Sequence, residues 1–343
     1  MPRPAHAAPM PRGTRVALAV ALIVAWVAGS TLGVTPSPVA PRTAQAVPLL
    51  QIEPAHAEFE PALDGSEPVF ILVLGSDARP GEEITGQRAD SIHIVALNPA
   101  TGRASIVGFP RDAYVEIPGI GSEKINGAMV HGGPELVVET VESLTGLTMD
   151  YWALTWFDGF VAMINDIEGL RVDVPFAVYD QLSHAEIDAG VQVLSGRDAL
   201  AYARARHVLP SGDFGRSENQ GRLMIAALQQ FQKAFHRDPT SIFSWVGAGM
   251  RNARTDIALD QLMTLAFTGA TLTSKRVTNI VIPGTLAMNG TESIVNLDDA
   301  ALSAISRDLE ADGTLGKKNI PVSPNADLMP GEDMSATEDD ATA

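Results

Sequence analysis

The chain has 343 residues, 45% of them hydrophobic, with 24 Lys+Arg against 41 Asp+Glu, a formal net charge of −17 and no cysteine. That length suffices for one large domain or two small ones with a sizeable core, and the missing thiols exclude disulfide frameworks and thiolate chemistry. The acidic balance argues against a nucleic-acid partner, because a phosphate backbone is held by cationic surface.

The first element is an apolar run, "VALAVALIVAWVAGSTLGVT" (Val16 to Thr35), without a charge. At ~1.5 Å per residue it spans ~30 Å, one hydrocarbon core. Arg3, Arg12 and Arg15 precede it and no acid does. The positive-inside rule therefore puts residues 1–15 in the cytoplasm, residues 16–35 in the plasma membrane as a single-pass anchor, and the rest outside. A cleaved signal peptide is the competing reading; Ala44-Gln45-Ala46 resembles a cleavage site but lies well beyond the run. Pro36, Pro38, Pro41, Pro48, Pro54 and Pro61 make residues 36–67 an extended extracytoplasmic tether. A domain is expected over residues 68–320. From Pro321 to Ala343 the chain carries six acids and no base, the composition of a disordered acidic tail.

Within the domain, "VFILVLG" (Val69 to Gly75), "SIHIVAL" and "ASIVGF" read as buried strands. Asn98-Pro99-Ala100-Thr101-Gly102 joins the last two as a hairpin. "GPELVVETVESLTG" (Gly133 to Gly146) has helical spacing and a closing glycine. "YWALTWF" and "LRVDVPF" are predicted strands flanking the helix "FDGFVAMINDIEG". "SGRDALAYAR" is a helix opened by a serine, and another is expected from Ser217 to about Phe235. "RDPTSIFSWVGAGM" and "DIALDQLMTLAFTGATL" predict further helices, and "RVTNIVIPG" a late strand. Strands alternating with helices mean an α/β domain, a central sheet covered by helices.

Polar residues that apolar packing does not need follow or precede these strands. Asp77 and Arg79 follow the first, Arg88 and Asp90 precede the second, and Arg111 and Asp112 follow the third. An antiparallel hairpin aligns opposite ends, so Arg88 and Asp90 should sit beside Arg111 and Asp112, with Asp77 joining them if the first strand pairs there. "YARARHVLPSGDFGR" adds Arg204, Arg206, His207, Asp213 and Arg216. Singly, each has an ordinary role: a strand-end Asp forms turns, Arg88 and Asp90 make a surface pair, and Arg204 and Arg206 complement a helix end. Together, these arginines and aspartates on one side of a sheet point to an anionic ligand.

From Val69 to about Leu228 the chain resembles the catalytic domain of the LytR–CpsA–Psr family, membrane-anchored cell-wall glycopolymer transferases. The matching stretches stand in order: "FILVLGSDARPGE", "GQRADSIHIVALNPATGRASIVGFPRDAYVEIPGIGSEKINGAMVHGGPELVVETVESLTG", "GLRVDVPF", "LSGRDALAYARAR" and "GDFGRSENQ". The resemblance implies a three-layer α/β/α fold with a central mixed sheet and an apolar pocket for a polyprenyl chain. It implies that Asp77 and Asp90 bind Mg²⁺. Arg88, Arg111, Arg204 and Arg206 would surround the lipid pyrophosphate, with Asp213, Arg216 and Gln220 at the pocket mouth. Arginine's planar fork suits phosphate oxygens, and Mg²⁺ takes one or two carboxylates plus substrate phosphates. Many members carry an arginine where Asn219 stands here, and His93 inside the second strand has no assigned role.

The implied reaction passes a glycopolymer from a polyprenyl-pyrophosphate carrier to a peptidoglycan hydroxyl, the 6-hydroxyl of N-acetylmuramic acid, with Asp77 or Asp213 taking the proton. The partners would be the lipid-linked glycan, peptidoglycan and membrane lipid. Two alternatives keep the same residues: a polyprenyl-pyrophosphate phosphatase, and a non-catalytic glycolipid-binding or regulatory protein of transcriptional-attenuator type. "RLMIAALQQF" and "DIALDQLMTLAF" would wall the lipid pocket or serve as ordinary core.

Overall fold

The computed structural model describes residues 67–272 and 277–325. The predicted anchor, the tether up to residue 66 and residues 326–343 lie outside the described residues. No helix among the described residues is long and apolar enough to cross a membrane.

The strands in chain order are β1 (Val69–Ser76), β2 (Ala89–Asn98), β3 (Arg103–Gly108), β4 (Tyr114–Ile117), β5 (Gly121–Lys124), β6 (Tyr151–Trp156) and β7 (Leu170–Val174). Then follow β8 (Val178–Asp180), β9 (Ala185–Ile187), β10 (Gly190–Leu194), β11 (Arg254–Thr255), β12 (Val277–Val281), β13 (Gly284–Asn289) and β14 (Glu292–Leu297). The helices are α1 (Ala128–Thr145), α2 (Phe157–Asp166), α3 (Gly196–Arg204), α4 (Asp213–Arg237), α5 (Ser241–Asn252), α6 (Leu259–Thr271) and α7 (Asp299–Asp312).

The central sheet has six strands in the order β11-β6-β1-β2-β3-β12. It is mixed: β1–β2, β2–β3 and β11–β6 run antiparallel, and β1–β6 and β3–β12 run parallel. The predicted hairpin joins β2 to β3, its turn closed by Gly102 N–H to the Asn98 carbonyl at 3.0 Å and Thr101 N–H to Asn98 Oδ1 at 2.9 Å. Alternation along β1 divides its side chains between two cores. Phe70, Leu72 and Leu74 pack with Val137 and Val141 of α1 and Leu302 and Ile305 of α7. Val69 and Ile71 pack with Leu265 of α6 and Leu228 of α4. Helices therefore cover both faces of a mixed sheet.

Three local findings refine the expectations. "LRVDVPF" supplies β7, which pairs with β10 outside the central sheet. α1 is interrupted at Gly132 and Gly133, so its regular part begins at Pro134 and ends at Gly146, whose φ of 74° closes it. α4 begins at Asp213 rather than Ser217. Gly212, at φ 56°, turns the chain into it, and Asp213 puts a negative charge in the first turn, where the helix dipole favours one. The serine predicted to open α3 does so: Ser195 and Asp198 form a reciprocal capping box. Of the segment expected as an acidic tail, Pro321 to Asn325 packs on α4, with Asn325 fully buried.

Candidate functional site

The site forms where β1, β2 and β3 meet at one end of the sheet. The β1–β2 register shifts between Gly75 and Ser76. Ser76 Oγ holds the turn that follows, donating to the Ile84 carbonyl at 2.7 Å and accepting the Ala78 N–H at 3.2 Å. Asp77 N–H then reaches the Arg88 carbonyl at 3.0 Å. Antiparallel pairing sets Asp90, near the start of β2, beside Arg111, just beyond β3, and the two form an ion pair. Asp112 lies 3.9 Å from Arg111 Nε and 3.5 Å from Lys124 Nζ.

The first turn of α4 completes the cluster. Asp213 Oδ2 accepts the Arg111 backbone N–H at 3.0 Å, and Asp213 Oδ1 lies 2.5 Å from Arg216 Nη2 and 3.8 Å from Arg111 Nε. Burial, then the neighbouring Asp90, raise the Asp77 pKa against the opposing pull of Arg88 and Arg111. Burial works against the charge on Arg111, but Asp90, Asp112 and Asp213 outweigh it and raise its pKa. Burial lowers the Arg216 pKa, Asp213 opposes, and Arg111 and Arg206 add repulsion. Asp77 Oδ1, Arg111 Nε, Asp213 Oδ1 and Arg216 Nε are all buried without a well-aligned hydrogen bond. Buried polar atoms are seldom left so. Both charge types are represented, which suits an anion brought in with a cation.

Beside the cluster opens an apolar cavity of about 370 Å³. Its wall includes Leu154, Trp156, Phe160, Leu223, Met224 and Met250, and Asp90, Arg204 and Gln220 also line it. The guanidinium carbon of Arg204 stands 4.7 Å from the Phe157 ring centroid, a cation–π contact. Gln220 Nε2 donates to the Ala203 carbonyl at 3.1 Å and the Asp90 carbonyl at 3.3 Å, tying α4 to α3 and β2. Leu223, Met224, Ile257 and Leu262 give the predicted apolar helices their cavity face, while Phe231 belongs to a separate core with Ile242.

The nine residues to which the resemblance gives roles thus meet at one end of the sheet, in three settings. Asp77, Asp90, Arg111, Asp213 and Arg216 form the charged cluster. Arg204 and Gln220 stand with Asp90 at the cavity. Arg88 is exposed but acts on Asp77, and Arg206 is half-buried and acts on Arg216. Among the described residues no group of three or more His, Asp and Glu forms a metal cage. Asp77 and Asp90 are two carboxylates, the number Mg²⁺ takes when phosphates and water fill its other positions.

Several supporting residues escape a sequence reading. Asp180 Oδ2 accepts the backbone N–H groups of Arg206 at 2.9 Å and His207 at 3.0 Å, and its Oδ1 accepts that of Leu182 at 3.0 Å. Burial opposes its charge, yet these bonds hold its pKa down at about 2. The local signal, Asp180 followed by Ser183, reads only as an Asx turn. His93 is fully buried between Ser91 Oγ at 3.1 Å and the Ser217 carbonyl at 3.1 Å, fixing β2 to α4, and burial lowers its pKa to about 4. Asn219 is fully buried and its Oδ1 accepts the Tyr202 hydroxyl at 3.2 Å. It serves the packing of α3 on α4.

Both the sequence and the fold have known relatives. The LytR_cpsA_psr family pattern matches residues 44–311. A polyisoprenyl-teichoic acid–peptidoglycan teichoic acid transferase TagU of Bacillus licheniformis is 35% identical over 164 residues, 47% of this chain and 52% of the relative. The chain thus spans about half the length of that relative. TagU of Bacillus subtilis is 28% identical over 255 residues, 73% of this chain and 80% of the relative. The crystal structure of Bacillus subtilis TagV superposes with a TM-score of 0.63 at 28% identity, covering 73% of this chain and 98% of that one. The family pattern takes in well over half of the sequence, and the mixed sheet is that of a solved relative: the chain belongs to the LytR_cpsA_psr family.

Proposed function

We propose that this protein transfers a glycopolymer from a polyprenyl-pyrophosphate carrier to a peptidoglycan hydroxyl, the 6-hydroxyl of N-acetylmuramic acid. The observation that carries the reading is the junction of an apolar cavity with a charged cluster that keeps unpartnered buried atoms of both signs. A prenyl chain suits the cavity and a pyrophosphate suits its Arg204 end. The relatives named as teichoic acid transferases support the same chemistry.

The acceptor oxygen forms a bond to the phosphorus bearing the glycan. The bridging P–O bond breaks, and polyprenyl phosphate leaves with the electron pair. Arg204, Arg111 and Arg216 are placed to take charge on phosphate oxygens, held in advance by Phe157 and Asp213. Asp213 is ion-paired with Arg111 and Arg216, whereas Asp77 forms no ion pair among the described residues. Asp77 is therefore the better proton acceptor of the two. Asp77 and Asp90 are the carboxylates that would hold Mg²⁺, and the ion would supply positive charge against the phosphate oxygens. A carboxylate has about four lone-pair sites, so Asp77 can serve both.

The topology belongs to the same proposal: Val16 to Thr35 anchors the chain, the catalytic domain stands outside the plasma membrane, and residues 36–67 are its tether. Intact protein should stay with membranes after an alkaline wash, and a mature N-terminus just after Ala46 would refute the anchor. The reaction is tested by incubating the protein with a defined lipid-pyrophosphate glycan, peptidoglycan fragments and Mg²⁺, followed by mass spectrometry. Glycan phosphate on the peptidoglycan fragment together with free polyprenyl phosphate is expected. Hydrolysis alone would favour the pyrophosphatase reading, and binding without turnover the glycolipid-binding one.

A further inference from the structure

The first turns of α4 carry Asp213, Arg216 and Gln220, yet the helix starts without the usual fastening. Its N-cap is Gly212, which offers no side chain to the first N–H groups. Besides its ties to Arg111, His93 and β2, this end is held by a segment far along the chain. Asn325 is fully buried, and its Nδ2 donates to Glu218 Oε2 at 2.8 Å and to the Gly215 carbonyl at 3.2 Å. Its Oδ1 accepts from Ser211 Oγ at 3.4 Å, in the loop that leads into the helix. Ser323 Oγ donates to Glu218 Oε1 at 2.7 Å and accepts the Asn325 N–H at 3.2 Å.

Glu218 is itself a buried carboxylate, with Arg222 Nη2 at 2.9 Å as its ionic partner. Its two oxygens are shared between that arginine and the C-terminal segment. Gly215 is what lets the segment in, because a Cβ there would overlap Asn325 Oδ1 and Ser211 Oγ. Ser323 and Asn325 lie beyond residue 311, where the family match ends.

We infer that Pro321 to Asn325 is a positioning strap for the arginine–aspartate site, acting through Glu218 on the first turns of α4. The inference rests on the proposed transfer reaction. Among the described residues the strap's side-chain hydrogen bonds to other elements go to Ser211, Gly215 and Glu218, none of which lines the cavity, so it sets where Asp213 and Arg216 meet the reacting phosphate and leaves the prenyl cavity alone. Misplacing such groups by about 1 Å can cost ~10²-fold in rate.

The test compares the full chain with a chain ending at Ile320, with Asn325→Ala, with Asn325→Asp, and with Asn325→Asp combined with Glu218→Gln. Three quantities are read: kcat for polyprenyl-phosphate release, the Kd of farnesyl pyrophosphate from quenching of tryptophan fluorescence, and amide exchange across residues 213–219. Truncation and Asn325→Ala should lower kcat by ~10–100-fold and speed exchange, while Kd rises by a much smaller factor than kcat falls. Asn325→Asp sets two carboxylates against each other and should fail likewise. Adding Glu218→Gln restores a donor–acceptor pair with reversed polarity and should recover most of kcat. Wild-type kcat in the truncated chain would overturn the inference. If truncation unfolds the protein, the Asn325→Asp pair decides, and no recovery in the double variant overturns it. If the wild type itself shows no turnover, the transfer reading has failed; unchanged exchange at 213–219 in Asn325→Ala then overturns the strap, and faster exchange upholds it.

Discussion

Arg204 is the residue on which the ligand reading and an ordinary structural reading part most sharply. It stands in the last turn of α3, lines the cavity and stacks on Phe157 at 4.7 Å; that stacking is the only interaction of its guanidinium among the described residues. As a helix-end cation it is worth ~0.3–1 kcal/mol of stability, and lysine would replace it nearly as well. Losing the stacking adds ~0.5–2 kcal/mol for alanine. As a preorganised donor to charge developing on phosphate it is worth ~2.7–4 kcal/mol of barrier, or ~10²–10³ in rate. A guanidinium bridges two oxygens in fixed geometry and an ammonium does not. Arg204→Lys should therefore lose much of its kcat at an almost unchanged melting temperature, and Arg204→Ala more. Release of polyprenyl phosphate from a defined lipid substrate measures the first, thermal unfolding the second. Wild-type kcat in the lysine variant, with only a small shift in melting temperature, would refute the assignment.

Asp77→Asn should abolish turnover and its response to Mg²⁺ or chelator without lowering the melting temperature. Burial raises its pKa, so its charge opposes folding at neutral pH; a variant that turns over normally with chelator present would remove both roles. His93 is held neutral, with a pKa of about 4 against an unfolded value of ~6.5, so only the unfolded chain takes up the proton in that interval. Stability should fall as pH drops from 6.5 to 4, by on the order of 3 kcal/mol, and urea titrations of wild type and His93→Gln should show the loss in the wild type alone. Asp180→Ala strips the acceptor from the Arg206 and His207 N–H groups, at about 1–3 kcal/mol for each one left buried and unpartnered. Both melting temperature and kcat should drop, and an unchanged kcat would detach the arginine loop from this support.

How far the sequence reached depended on the range of the interaction that decides each feature. β1, β2 and β3 were legible because each is a run of apolar residues bounded by turn formers, and the pairing of Asp90 with Arg111 followed from hairpin geometry alone. The paired strands β8 and β9 have three residues each, too few for any period to show. The start of α4 was hidden because Ser-Gly-Asp-Phe-Gly reads as turn chemistry; only the docking of Asn325 reveals why Gly215 belongs inside a helix. Asp180, Glu218 and His93 act across 26, 107 and 124 residues of sequence. No local pattern carries contacts of that span.

The same distinction explains an arginine site in a chain of net charge −17. Acid that lies beyond a Debye length of ~8–10 Å is screened from the site. Within the site, Arg111 and Arg216 repel each other, and Arg206 adds to the repulsion on Arg216. Asp90 and Asp213 offset this by pairing with the cations. A pyrophosphate entering the cluster therefore meets guanidinium groups already oriented by carboxylates, and it exchanges partners with them instead of gathering loose side chains. Removing Asp213 would leave Arg111 and Arg216 facing each other with little between them. Its loss should weaken anion binding through disorder even though it removes a negative charge. An acid whose deletion lowers affinity for an anion is what a preorganised site requires, and a merely attractive basic patch would behave the opposite way.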